Sequence, residues 1–468
     1  MTPEEFRTAG HQLVDWIAGY VTGLADEPHR FPVRSPLAPG SVRALVPEHP
    51  PSDPEPWPTV LADLNRVVVP GLTHWQHPAF FAYFPSNSSF PSILGELAAA
   101  GLGVNGMLWA TSPAATEIET AMLDWMRELL DLPERFASSG PGGGVIQGTA
   151  SEATLCAVLA ARHRAMAAGA SLDQLVAYAT SQSHSSIEKG LRIAGIPAER
   201  LRLVEVDADF AMRPDALAAA VAGDRAAGFM PFVVIASRGT TSSMAFDPTP
   251  AIAAVCQAEG LWLHVDAAMA GIAALCPELR WVNDGLELAD SYCTNPHKWM
   301  GVNFDCDLFW VADRASLLAA LSILPEYLRT AAAEAGQVID YRDWQIPLGR
   351  RFRALKLWWA IRLEGLASFQ AMIRRHLAIT DELVSWVEGD DRFELAAPAS
   401  LNLVCVRLRA GDAATDALIE TANATGEALF TRTVLHGRSV LRFCIGGRVT
   451  ERAHVEAAWA LLQRCVEP

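Results

Sequence analysis

Apolar residues Phe6, Leu13, Val14, Ile17 and Val21 recur at roughly helical spacing behind Pro3-Glu4-Glu5, which predicts an amphipathic N-terminal helix. The proline-rich stretch Pro28 to Pro58 cannot build a regular core. The apolar helix face therefore needs a cover, either another subunit or the rest of its own chain. A second amphipathic segment, Thr59 to Val69, ends at the turn Pro70-Gly71. Ser112 caps a further helix with Ile118, Met122, Trp125 and Leu129 on one face. From residue 175 the pattern changes. Continuous apolar runs at Leu175–Thr180, Leu201–Val206, Phe229–Ala236 and Leu261–Val265 alternate with helices from Ile187, Pro214 and Pro248. That alternation predicts a parallel α/β sheet. Short strands follow at Ser291–Thr294 and Leu308–Val311, with a helix at Ala315–Leu321. Pro325 to Gly336 lacks apolar periodicity and reads as an exposed segment of the kind that closes over a site. A helix at Ala354–Leu363, strands at Leu401–Arg407 and Val440–Ile445, and a helix from Thr450 suggest a small α+β domain.

Composition narrows the class. A chain of 468 residues, 51 % hydrophobic, can bury a large core, and its length predicts more than one domain. A net charge of -16 argues against a nucleic acid or an anionic membrane as partner. The eight cysteines lack CxxC or metal-ligand spacing, so no metal is expected and free thiols in a reducing cytoplasm are the simpler account. No basic-then-apolar leader is visible at the start, and the most apolar window, Leu97 to Ala110, is broken by glycines.

Candidate chemistry gathers around Asn295-Pro-His-Lys-Trp299. Lys298 sits among large apolar residues just past a strand and a turn signal, where desolvation favours a free amine able to form a Schiff base. Asp266 ends the apolar strand Leu261-Trp-Leu-His-Val-Asp266, a place from which a carboxylate can pair with the pyridine nitrogen of pyridoxal phosphate. The glycine-rich run Gly140 to Glu152 opens a helix with Thr149 and Ser151 in its first turn; such a run is more often only a loop, but the Thr/Ser pair at the helix start tips the reading towards a phosphate cradle. It lacks the Walker lysine and the dinucleotide-fold spacing. His184, Thr241, Asp266, Asn295, His297 and Lys298 all follow predicted parallel strands, where ligands collect in such sheets. Trp75 and the aromatic run His77 to Ser86 read as core, or as walls for a flat aromatic ligand.

With those residues in hand, the chain resembles the pyridoxal-phosphate-dependent group II decarboxylases, most closely the aromatic L-amino-acid decarboxylases. The matching stretches are His77–Pro85, Trp109–Glu119, Gly142–Glu152, His184–Ser186, Leu261–Ala268, Asn295–Trp299, Phe304–Cys306 and Asp340–Leu355. The resemblance implies a fold-type I α/β architecture: an N-terminal helical arm (1–85), a large cofactor domain with a mainly parallel sheet (86–355) and a small C-terminal α+β domain (356–468). It implies a homodimer with active sites at the interface. By position, Lys298 is the lysine that bonds the cofactor and Asp266 the partner of its ring nitrogen. His184 would stack on the ring, with Ala268 beneath it. Thr149, Ala150, Ser151, Asn295 and His297 would surround the phosphate, and Thr241 would lie near the cofactor. Tyr327 matches the tyrosine that protonates the substrate carbon after carbon dioxide leaves. Trp75, Tyr83, Phe84, Pro85 and Ser86 would line the substrate pocket, Gly349 would enter it from the partner subunit, and Arg442 would lie close by.

Two departures bear on substrate choice. Arg238 stands before Gly239-Thr-Thr241 where relatives carry an apolar residue, and Asn105 and Met107 replace larger apolar residues. Gly349 in place of serine resembles relatives that accept indoles, so tryptophan is favoured, with phenylalanine, tyrosine, dopa and 5-hydroxytryptophan also expected. The alternatives are an aldehyde synthase on the same scaffold, an acidic-amino-acid decarboxylase, and a non-catalytic binding protein. Tyr327 with His184, the aromatic pocket, and the presence of Lys298 with Asp266 count against these in turn.

Overall fold

The computed structural model of the protein describes residues 1–323, 328 and 330–466. The apolar runs from residue 175 are strands: β2 (Leu175–Thr180), β3 (Leu201–Val204), β4 (Met230–Ser237), β5 (Trp262–Asp266), β6 (Ser291–Thr294) and β7 (Asp307–Val311). With β1 (Gly143–Gln147) they form a seven-stranded sheet in the order β1-β7-β6-β5-β4-β2-β3. The pairs from β3 to β6 are parallel, and β7 runs antiparallel to both β6 and β1. The sheet is mainly parallel, and all its strands except the edge strand β3 are almost wholly buried, as expected where helices cover both faces.

β1 corrects the reading of the glycine-rich run as a loop. A Cβ on Gly144 would stand 2.7 Å from the Trp310 ring and 2.8 Å from Leu123, and one on Gly142 would lie 2.0 Å from the Arg135 carbonyl. The glycines admit neighbours that press on a central backbone. Only the turn after them, Gly148-Thr149, opens the helix Ala150–Ala167. A second extension is the helix expected over 354–363, which runs from Arg353 to Glu388 with a break at Gly365 (φ +73°).

The chain divides into two compact units, one of residues 86–377 with 397–403, the other of residues 1–85, 378–396 and 404–468. The first holds the seven-stranded sheet. The second carries the N-terminal helix Pro3–Asp26, closed by a capping box between Thr2 and Glu5. Its small sheet, β8 (Phe393–Leu395), β9 (Leu403–Leu408), β10 (Thr431–Leu435) and β11 (Arg438–Cys444), is ordered β10-β11-β9-β8. Phe80, Phe81, Phe393, Phe430, Phe443 and Trp459 pack in that unit's core. Among the described residues no helix is long and apolar enough to cross a membrane, and no three His, Cys, Asp or Glu are placed to hold a metal ion. All eight cysteines are free thiols.

Candidate active site

β2, β4, β5 and β6 end on one side of the sheet, and their exits carry residues 183–186, 238–241, 267–268 and 295–298. Asp266 is the last residue of β5 and only 9 % exposed. Its Oδ1 accepts the Ala268 N–H at 3.0 Å, which pins the carboxylate to its own turn. The Asn295 N–H in turn donates to the Ala268 carbonyl at 3.0 Å, tying the exit of β6 to that of β5. Asn295 N-caps a four-residue helix, Pro296–Trp299, that carries His297 and Lys298. Lys298 is half-buried between buried His297 and Trp299. Trp299 is anchored by its indole N–H, which donates to His376 Nδ1 at 2.9 Å.

Three candidates from separate strands converge. His184 is exposed as a residue, yet its ring titrates below the ordinary histidine range because neighbouring groups desolvate it; the Asp266 charge opposes this and the Lys298 charge adds to it. The Ser186 N–H donates to His184 Nδ1 at 3.2 Å, so the neutral ring carries its proton on Nε2. His297 is treated alike. The Cys306 N–H donates to its Nδ1 at 2.9 Å, while burial and then the Lys298 charge push its pKa down to about 3. The Ser86 hydroxyl donates to the His297 carbonyl at 3.0 Å. Ser86, expected at the pocket wall, therefore also braces the lysine helix.

The helix Ala150–Ala167 begins beside these groups. Thr149 is its N-cap residue but gives no side-chain bond to the helix, and Ser151 is exposed in the first turn. The helix is 18 residues long, and its leading N–H groups and dipole favour an anion there. Thr241 is half-buried in the β4 exit, whereas Thr240 ties that turn through the Ala245 N–H at 2.9 Å.

Arg238 was expected to bear on substrate choice, and the structure gives it another task. Its guanidinium is buried, donating to the carbonyls of Val282 (2.9 Å), Asp247 (2.9 Å) and Trp281 (2.6 Å). It staples loops together behind β4. Asn105 also has a local duty, its Oδ1 accepting the Arg350 N–H at 2.9 Å. The Met107 carbonyl accepts the Arg342 N–H at 3.1 Å. Gly349 is exposed, and a Cβ there would meet only Asn105 Nδ2 at 3.7 Å, an ordinary contact. In the other unit, Trp75 stacks on Tyr83 (5.5 Å between centroids), and Arg442 lies over the Phe84 ring at 5.1 Å, its Nη1 donating to Thr431 Oγ1 at 2.9 Å. Pro85 is buried there. Tyr327 lies outside the described residues.

Several participants carried no sequence signal. Arg350 and Glu119 form a fully buried ion pair across 231 residues, with the Ile146 N–H donating to the same Glu119 oxygen at 2.8 Å. His264, beneath Asp266 on β5, shares a hydrogen bond between its Nδ1 and the Ser291 hydroxyl at 2.9 Å, and burial pushes its pKa down to about 4. A lone polar residue inside an apolar run was the only hint.

Comparison with known proteins now bears on this geometry. A family model described as the pyridoxal-dependent decarboxylase conserved domain matches residues 39–409. This chain belongs to the pyridoxal-dependent decarboxylase family. It is 45 % identical to phenylacetaldehyde synthase of Arabidopsis thaliana, over 99 % of this chain and 96 % of that protein. It is 44 % identical to aromatic-L-amino-acid decarboxylase of Bos taurus, over 99 % and 96 %. The crystal structure of Oryza sativa TDC with PLP and tryptamine superposes with a TM-score of 0.96 at 40 % identity, covering 100 % of this chain and 98 % of that one. The family's cofactor is pyridoxal phosphate, and the residues present fit it. An amine, a pinned carboxylate and a helix N-terminus whose cap hydroxyl is not bonded to its own helix stand together at the strand exits.

Proposed function

We propose that this decarboxylase acts on aromatic L-amino acids, with tryptophan favoured, and releases the arylalkylamine and carbon dioxide. The observation that carries the reading is the convergence of Lys298, Asp266 and His184, whose charges act on one another from three strand exits. The relatives' names and the tryptamine in the rice structure support the aromatic class. Exposed Gly349 supports a wide pocket, since its backbone has room for a side chain that is not there. We further propose a cytoplasmic homodimer in which Gly349 serves the partner's pocket, with Trp75, Tyr83, Phe84, Pro85, Ser86, Asn105, Met107 and Arg442 lining it.

Lys298 holds the cofactor through its Nζ. Asp266 keeps a proton on the ring nitrogen, and its Ala268 tether prevents the carboxylate from turning away. Thr149, Ala150, Ser151, Asn295 and His297 would hold the phosphate, and His297, kept neutral by burial, could offer it an N–H. His184, Ala268 and Thr241 would hold the ring. Pyridoxal phosphate, when bound, supplies the electron sink for the pair released with carbon dioxide. Tyr327 then delivers a proton to the substrate Cα, a general-acid contribution of about 10²–10⁴-fold.

A panel of tryptophan, tyrosine, phenylalanine, dopa, 5-hydroxytryptophan and glutamate, with products identified by mass spectrometry, tests this. Aromatic amines from the first five and nothing from glutamate are expected; turnover of glutamate alone would overturn the substrate class. Borohydride reduction should fix the cofactor's mass to the peptide containing Lys298 and to no peptide in Lys298→Ala. An adduct elsewhere would refute the assignment of that lysine.

The aldehyde-synthase reading stays in play because one relative carries that name. Tyr327→Phe is expected to shift products from amine towards aldehyde, hydrogen peroxide and ammonia. An unchanged amine yield would remove Tyr327 from the proton-transfer step.

A further inference from the structure

Asp307 opens β7 fully buried, and neither of its carboxyl oxygens meets a hydrogen-bond partner among the described residues. An ionised carboxylate left unpaired in such a place is very costly. Directly opposite it in the antiparallel β1–β7 pair stands Gln147, also fully buried. Opposed side chains of this kind share a sheet face with Cβ atoms about 4.5–5.5 Å apart. The Gln147 amide is oriented by its other end, where Nε2 donates to the Trp344 carbonyl at 3.0 Å and to Cys156 Sγ at 3.3 Å. Its Oε1 has no partner among the described residues. Two acceptors thus face each other in a dry interior. A proton reconciles them, and of the two groups only the carboxyl carries one.

The same face leads to the cofactor site. Phe309, two residues along β7, pairs with Cys293, which pairs with Asp266, and Cys293 Sγ lies 3.9 Å from Asp266 Oδ1. Gln147 precedes the Gly148-Thr149 turn that opens the helix Ala150–Ala167. The ionisable groups facing Asp307 are Asp266 on β5, Cys293 on β6, Glu152 and Cys156 on that helix, Cys306 beside it in sequence, and Lys298. Lys298 alone is cationic. Burial first, then the Asp266 and Glu152 charges, hold the Asp307 carboxyl well above the ordinary range against the pull of Lys298.

We propose that Asp307 is a positioning residue for the cofactor cradle: as a neutral acid it donates its hydrogen to Gln147 Oε1, tying β7 to the turn at the helix start. Asp266 is then the single anion on this sheet face. The proposal rests on the pyridoxal phosphate reading. Loss of the proton places a second negative charge behind Asp266 and near the phosphate, so cofactor affinity falls. The sign is fixed by the raised folded-state pKa. Asp307's contribution to stability is complete below its unfolded value of about 3.9 and is lost as pH rises to the folded value.

Equilibrium dialysis of pyridoxal phosphate against apoenzyme across a pH series tests this with wild type, Asp307→Asn and Asp307→Ala. Wild-type affinity is expected to fall up to about tenfold per pH unit once Asp307 ionises. Asp307→Asn, whose amide donates to Gln147 and cannot ionise, should lack that component. Asp307→Ala should bind about tenfold more weakly than wild type at pH values where Asp307 is protonated, having lost the link, and should likewise lack the alkaline component. The differences between variants are the readout. Parallel profiles for wild type and Asp307→Asn, or wild-type affinity in Asp307→Ala, would overturn the proposal. Should the asparagine variant not fold, Asp307→Ser replaces it, and wild-type affinity with an unchanged alkaline fall in that variant overturns it equally. A wild-type enzyme that takes no pyridoxal phosphate at any pH would instead overturn the cofactor reading itself.

Discussion

Asp266→Asn is expected to lower kcat about 10²–10³-fold while the fold and the bound cofactor persist. Asparagine keeps the shape of the side chain, and its Oδ1 can still accept the Ala268 N–H that now pins the carboxylate. What it loses is the negative charge that, on the proposed reading, would hold a proton on the pyridine nitrogen. That loss weakens electron withdrawal in the transition state more than it weakens binding of the ground state, so kcat should fall while KM changes little. The neighbouring groups sharpen the contrast. His264 below Asp266 and His297 beyond it are both held neutral by burial, so neither supplies a compensating charge. Steady-state kinetics with cofactor content measured on the same samples decides the matter. A variant within threefold of wild type would make Asp266 a structural residue only.

Arg350→Met is expected to destabilise the protein by about 3–5 kcal/mol, because it leaves the Glu119 carboxylate buried without its cation. Arg350 also donates to Gln345 Oε1 at 2.6 Å and to the Ile146 carbonyl at 3.2 Å, so one guanidinium joins the segment bearing Gly349 to β1. Replacing both partners, Glu119→Gln with Arg350→Met, should recover much of the loss, since no unpaired charge then remains. Unfolding midpoints of wild type, single and double variants would measure this. A single variant as stable as wild type would show that the pair adds nothing.

The fold was legible where information is local. Continuous apolar runs such as 229–236 and 261–265 identify buried parallel strands from their own residues, and Asn295-Pro296 marks the turn that delivers Lys298. Asp266 announces itself as a carboxylate ending an apolar run. β1 was not legible because glycines carry no hydrophobic signal, and its strand character depends on Trp310, Leu123 and β7 pressing against it. Arg238 invited a reading in terms of substrate, since a charge in an apolar context suggests a ligand. The carbonyls that receive it lie up to 44 residues away.

The amino-acid sequence on its own determined the strand periods, the helix starts, the strand that ends at Asp266 and the turn that carries Lys298, because each follows from burial pattern and turn chemistry within a short window. Tertiary structure alone decided the rest. Arg350 meets Glu119, and Asp307 meets Gln147, only when segments far apart in the chain are laid side by side. Whether a buried polar group is paired or orphaned depends on its neighbours in space, and spacing along the chain does not record them.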